Sequence, residues 1–144
     1  QGQRRRVALS RLALSPAADT LFVACTYMPG VERVEIRPDG SAGRRRVHVR
    51  IPGTLPDGLA FDRAGNLYVS CYTPSRIYRV SPAGAVRMVI EDREDTLLAH
   101  PTNIAFGGRG FDQLFTANLG RWHLSRIALG VRGAPLACHR RAGR

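Results

Sequence analysis

Lysine is missing from this chain: all 22 basic residues are Arg, and against 11 acidic residues they give a formal net charge of +11. Nucleic-acid binders usually mix Arg with Lys, because Lys meets phosphate as a compact point charge. An all-Arg set is what coding bias in a GC-rich genome leaves behind. Only Arg4-Arg5-Arg6 and Arg44-Arg45-Arg46 form runs, and the second falls in a strand-like segment. The charge therefore reads as solvated faces, and no nucleic-acid partner is expected. Cysteine is scarce as well: Cys25, Cys71 and Cys138 show neither a CxxC pair nor a metal-finger spacing. An odd thiol count without a leader-like apolar core fits a reducing compartment, so a cytoplasmic location is the expectation. No apolar run approaches the ~18 residues of a membrane span, so no membrane partner is expected either. No Ser stands in a G-x-S-x-G setting, no Gly-rich phosphate loop is present, and no His has a His or Cys partner at ligand spacing. Segments with helical periodicity are lacking too, which leaves an all-β chain.

What is present is a repeated strand pair. The stretch Pro56 to Tyr72 (PDGLAFDRAGNLYVSCY) holds a short apolar strand, a turn through Asp62, Gly65 and Asn66, and a return strand Leu67 to Cys71. The same unit appears earlier as Leu12-Ala13-Leu14-Ser15-Pro16 with Leu21 to Cys25, and later as Pro101 to Phe106 with Leu114 to Asn118. Outer strands repeat as well: Val31 to Ile36 and Arg76 to Val80 alternate apolar with charged residues and stop at Pro-Asp-Gly and Pro-Ala-Gly. A strand-built period in the mid-forties marks propeller blades. The fold expected is all-β, a β-propeller of four-stranded antiparallel blades, with about three blades here over 10–52, 53–95 and 96–136. Residues 1–9 form a basic segment out of pattern, read as a truncation or frame change, and 137–144 a tail. A propeller closes with four to eight blades, so three form an arc whose open edges favour self-association.

PDGLAFDRAGNLYVSCY followed by RIYRVSPAG, then PTNIAFGG and LGVRGAPL, resembles the C-terminal half of the gluconolactonase/regucalcin/luciferin-regenerating-enzyme-like family, with the bacterial sugar-lactone lactonases as the best likeness. The resemblance runs from Leu12 to Leu136. It implies a six-bladed ring, which at this period needs about 270 residues. It also implies hydrolysis of a small-molecule sugar lactone, gluconolactone-like, by metal-activated water, with one divalent ion (Ca2+ or Zn2+) at one end of the channel. A hard cation held by oxygen ligands polarises the lactone carbonyl and offsets the oxyanion.

By this resemblance Asp57 is both a metal ligand and the catalytic general base. Without it, Pro-Asp-Gly reads as an ordinary turn, as Asp39 does in Pro38-Asp39-Gly40. Ser10 and Arg11 stand where the family carries Asn-Gly; Ser10 is a weak neutral ligand, and Arg11 opposes a cation electrostatically. One carboxylate does not hold a divalent ion tightly, so this chain alone is expected to be inactive. The ends of the second strands nominate Tyr72, Asn118, Trp122 and His123 as substrate-binding, with packing as the plainer reading of Trp122. Cys25 and Cys71 are expected to be buried fillers. The alternative function is a non-catalytic propeller segment that binds or scaffolds an acidic partner.

Overall fold

The computed structural model describes residues 9–136. The Arg4-Arg5-Arg6 run, Cys138, His139 and the tail 137–144 lie outside the described residues. Eleven strands and no helix occur among those described; none of their segments is a helix long and apolar enough to cross a membrane. The strands are β1 (Leu9–Leu14), β2 (Thr20–Cys25), β3 (Gly30–Ile36), β4 (Ala42–Arg50), β5 (Pro56–Phe61), β6 (Leu67–Tyr72), β7 (Ser75–Val80), β8 (Val86–Glu91), β9 (Pro101–Gly107), β10 (Gln113–Asn118) and β11 (Leu124–Ala128).

They build three antiparallel sheets in simple meander order: β1-β2-β3-β4, β5-β6-β7-β8 and β9-β10-β11. Two of the connecting hairpins show the turn chemistry written in the sequence. In the β5–β6 hairpin, Asp62 Oδ1 accepts the Asn66 amide at 2.8 Å and Asp62 Oδ2 accepts the Asn66 side chain at 2.8 Å. In the β3–β4 hairpin, Asp39 Oδ1 accepts the Ser41 amide at 2.9 Å, the turn role expected of it.

The sheets stack face to face, and β6 explains how. Its residues Leu67, Val69 and Cys71 point to one side, into a core with Phe22, Ala24, Val31, Val49 and Ile51 of the first sheet and its exit turn. Tyr68 points to the other side, with Ile77, into a second core holding Leu98, Ile104 and Leu114. A strand covered on both faces has no polar face, which is why LYVSCY reads as a nearly unbroken apolar run. Each fully buried Leu, Ile or Val contributes about 1.5–3 kcal/mol, so the two inter-sheet cores hold the stack together. T-shaped ring pairs add to both, Phe22–Phe61 at 5.0 Å in the first and Tyr68–Phe106 at 5.3 Å in the second.

The innermost strands β1, β5 and β9 lie side by side and run in the same sense, so their starts gather at one end. The other end is crossed by the GVRGAPL segment. The Arg63 amide donates to the Arg132 carbonyl at 2.8 Å, and the Ala134 amide donates to the Phe61 carbonyl at 2.9 Å. Gly133 sits where a Cβ would fall 2.1 Å from Cβ of Phe106, so only a glycine lets this segment lie so close. A cavity of about 910 Å³ runs along this half of the inner strands, lined by Leu12 to Leu14, Leu59 to Phe61, Ile104 to Phe106 and Ala134 to Leu136. Its walls are mostly apolar and do not include Asp57, so this cavity and the candidate chemistry sit at different ends of the inner strands.

Candidate functional site at the starts of the inner strands

Each inner strand opens with the same irregularity. Between Leu9 and Leu12, three steps of β1 are matched by two of β2, Cys25 to Val23. Pro56 to Leu59 against Cys71 to Val69 repeats it in β5, and Pro101 to Asn103 against Asn118 to Ala117 repeats it in β9. One extra residue in each inner strand is a β-bulge, which bends the strand and redirects a side chain. The bulged positions are Ser10-Arg11, Asp57-Gly58 and Thr102. Among the described residues, Asp57 supplies the carboxylate of this set.

The chain holds the Asp57 bulge from several sides. The Gly58 amide donates to Ser70 Oγ at 3.0 Å, giving a partner to an N–H that the bulge takes out of the ladder. Thr26 Oγ1 donates to the Pro56 carbonyl at 3.1 Å, tying the end of the first sheet to the start of β5. The Leu55 amide and carbonyl bond to Thr73 and Tyr72 at 2.8 and 3.1 Å. Gly58 is required by close approach: a Cβ there would lie 2.5 Å from Ser70 Oγ, 2.8 Å from Asn103 Cα and 2.8 Å from the Ile104 nitrogen.

Asp57 itself is buried, 8% exposed. Ser10 Oγ donates a short hydrogen bond to its Oδ1. Arg11 Nε lies 3.8 Å from the same oxygen, with the Arg side chain half exposed. A half-exposed pair of this kind is worth about 0–1 kcal/mol, yet it places a permanent positive charge beside the carboxylate. Ser10 and Asp57, nominated together as ligands, are thus in direct contact, and their contact is with each other.

The divalent ion that the resemblance implies finds a poor donor set. No group of three or more His, Cys, Asp or Glu side chains capable of holding a metal occurs among the described residues. A hard cation needs several oxygen ligands. Here one carboxylate is present, one of its oxygens already accepts from Ser10, and Arg11 opposes a second positive charge.

The other nominated residues gather elsewhere. Asn118 is held within its own sheet: its Oδ1 accepts Thr116 Oγ1 at 2.7 Å, and its Nδ2 donates to Ser125 Oγ at 2.9 Å and to the His123 carbonyl at 3.2 Å. His123 Nε2 contacts the Leu97 carbonyl at 2.9 Å, and Trp122 is fully exposed. Tyr72, half-buried at the end of β6, uses its carbonyl to meet His100 Nδ1 at 2.6 Å. None of the four bonds to Asp57 or Ser10. Two of them, Tyr72 and His123, instead meet the 92–100 loop, where Arg121, of the same segment as Trp122 and His123, and His100 join them. Arg121 Nε donates to the Asp95 carbonyl at 3.0 Å, and His100 Nε2 lies 3.8 Å from Asp95 Oδ2. A cleft of about 540 Å³ between this loop and β11 includes Leu97, His123, Ser125 and Arg126.

Cys25 and Cys71 are fully buried. Burial pushes the Cys71 thiol up to about 12; burial and then the Glu32 charge push Cys25 up to about 11. Thiols held that high are neutral fillers, not nucleophiles or metal ligands.

Ser70, which accepts the Gly58 amide, is the neighbour that motif reading missed. The Ser10–Asp57 contact had a signal in the repeat, because the two are 47 residues apart at equivalent points of it.

Comparison with known proteins bears on the family and the fold. Residues 10–118 match the family described as SMP-30/Gluconolactonase/LRE-like region. The 6-deoxy-6-sulfogluconolactonase of Pseudomonas putida is 30% identical over 133 residues, covering 84% of this chain and 44% of that protein. Regucalcin of Gallus gallus is 27% identical over 112 residues, covering 67% of this chain and 36% of that one. A solved structure of a putative gluconolactonase superposes with a TM-score of 0.74 at 23% identity, over 92% of this chain and 42% of the other, which bears on the fold. The chain spans less than half the length of the curated relatives it matches, and its three sheets correspond to part of a six-bladed propeller. The chain belongs to the SMP-30/gluconolactonase/LRE-like family.

Proposed function

We propose that these blades carry the proton-accepting corner of a sugar-lactone hydrolase, with Asp57 as the general base. One observation carries the reading: among three equivalent bulges at the starts of β1, β5 and β9, the β5 bulge presents a buried carboxylate. A carboxylate at such a point can take a proton from water as its oxygen attacks the lactone carbonyl carbon. The bond from that carbon to the ring oxygen then breaks, the ring oxygen takes up a proton, and a hydroxy acid leaves. The name of the Pseudomonas putida relative, a lactonase, supports the reaction class.

A divalent ion, Ca2+ or Zn2+, would supply Lewis-acid polarisation of the carbonyl. The donors around Asp57 do not fit it, so no step here is routed through a metal. With Arg11 drawn to Asp57 and no ligand set for a metal ion among the described residues, the isolated chain is expected to turn over lactone no faster than solvent does. The Ser10 and Arg11 contacts to Asp57 also favour a second reading, a propeller segment that binds or scaffolds without catalysis.

The test is glucono-1,5-lactone hydrolysis followed by pH-stat against the spontaneous rate, with the chain and its Asp57→Asn variant, with and without added Ca2+ or Zn2+. Equal rates in all arms are expected of the isolated chain. Acceleration lost in Asp57→Asn would establish the base and overturn the inactivity. Acceleration that survives Asp57→Asn would overturn the assignment of Asp57.

A further inference from the structure

We propose that Arg11 is the resident cation of the Asp57 site, standing in the charge position that a metal would take and excluding divalent ions from it. This rests on the same placement of Asp57 as the lactonase reading, but its readout is ion binding and not turnover, so either can fail without the other.

Three observations converge on it. The bulge in β1 turns Ser10-Arg11 toward the bulge in β5, so one two-residue step delivers both a hydrogen-bond donor and a guanidinium to one carboxylate. Both groups use the same oxygen: Ser10 Oγ donates to Oδ1, and Arg11 Nε lies 3.8 Å from it. A metal binding at Oδ1 would have to displace the Ser10 hydrogen bond and share the space with the delocalised positive charge of a guanidinium. Finally, no group of three or more His, Cys, Asp or Glu side chains that could hold a metal occurs among the described residues. Thr102, at the equivalent bulge in β9, directs Oγ1 to the Ala117 carbonyl at 3.3 Å and brings no negative charge.

Like charges a few ångströms apart repel by several RT in a partly buried setting. Removing the guanidinium should therefore raise cation affinity, and replacing it by a carboxylate should raise it further. The experiment is a titration with Tb3+, read by luminescence, and with Ca2+, read by calorimetry. It compares the full chain with its Arg11→Ala, Arg11→Glu and Arg11→Glu/Asp57→Asn variants. Circular dichroism and melting temperature establish that each variant is folded, and Arg11 is exposed enough that at least Arg11→Ala should be.

The expected result is no saturable one-to-one binding by the wild-type chain. Affinity should rise by at least about tenfold in Arg11→Glu, with a smaller rise in Arg11→Ala, and fall again when Asp57 is also replaced. Saturable one-to-one binding by the wild type would overturn the proposal. So would an Arg11→Glu chain that binds no better than wild type, because Arg11 would then not be what keeps cations out. A gain that survives Asp57→Asn would place the new site elsewhere and overturn it as well.

Discussion

Replacing Gly58 by Ala tests whether the bulge at Asp57 is held by the neighbouring sheet. The added methyl would sit 2.5 Å from Ser70 Oγ, 2.8 Å from Asn103 Cα and 2.8 Å from the Ile104 nitrogen. The first contact is with a side chain, but the other two are with the backbone of β9, which has no rotamer to change. Relief requires that β5 and β9 part where the second core begins at Ile104. Overpacking of this kind costs about 1–3 kcal/mol. If the movement also breaks the Gly58 to Ser70 hydrogen bond, a buried N–H left without a partner adds about 1–3 kcal/mol. A total near 2–6 kcal/mol, at roughly 3–4 °C per kcal/mol for a domain of this size, lowers the melting temperature by about 6–24 °C. Gly110→Ala is the control, since its methyl would meet Asp112 at an ordinary 3.4 Å; it should stay within about 2 °C of wild type. Differential scanning calorimetry reads both. Adding Ser70→Ala to Gly58→Ala removes only the first contact and should not restore the wild-type melting temperature. A Gly58→Ala chain that melts within 2 °C of wild type, or full rescue by Ser70→Ala, would refute the reasoning.

Two further outcomes follow from named groups. In a Cys138→Ser background, Cys25 and Cys71 should resist Ellman's reagent in the native state and react together on unfolding in guanidinium, because burial keeps both thiols neutral; rapid native labelling of either would contradict the packing. Asp92 anchors the 92–100 loop by accepting the Leu97 and Leu98 amides, each at 2.7 Å. Burial acts to raise its pKa, but the amides of Leu98, Leu97, Ala99 and Thr96 outweigh it and hold the carboxyl below its ordinary 3.8. A depressed folded pKa means stability that is complete above about pH 4 and is lost as pH falls through the folded value. Protection of the Leu97 and Leu98 amides in hydrogen exchange should therefore fall in that acid range, and Asp92→Asn should flatten the dependence; an unchanged profile in Asp92→Asn would contradict this anchor.

Strands and turns were legible because their determinants are local. Alternation in β3 and β7, the Asp62-to-Asn66 turn and the Asp39 turn each declare themselves within a few residues. The repeat spacing also carried the stacking, since β6 must face two neighbours for both of its sides to be apolar. The bulges were not legible: an extra residue in a strand leaves no mark beyond a Gly or a Ser, and only the pairing partner reveals it. The Ser10–Arg11–Asp57 contact needed that bulge twice, once in each strand. Asn118, Trp122 and His123 were nominated from their position at strand ends. What position alone does not convey is that the 92–100 loop folds back, so that His123 and Ser125 meet the Leu97 carbonyl and Asn118 turns to its own sheet.

The most direct measurement of the central claim, that ligand chemistry belongs to the inner-strand bulges, is a chemical-shift titration of the 15N-labelled chain with gluconate, the hydrolysis product. The expected result is shifts centred on the amides of Ser10, Arg11, Asp57, Gly58 and Asn103, and their loss in Asp57→Ala. Shifts centred instead on Leu97, Trp122 and His123, or none at any concentration up to the solubility of the probe, would contradict it.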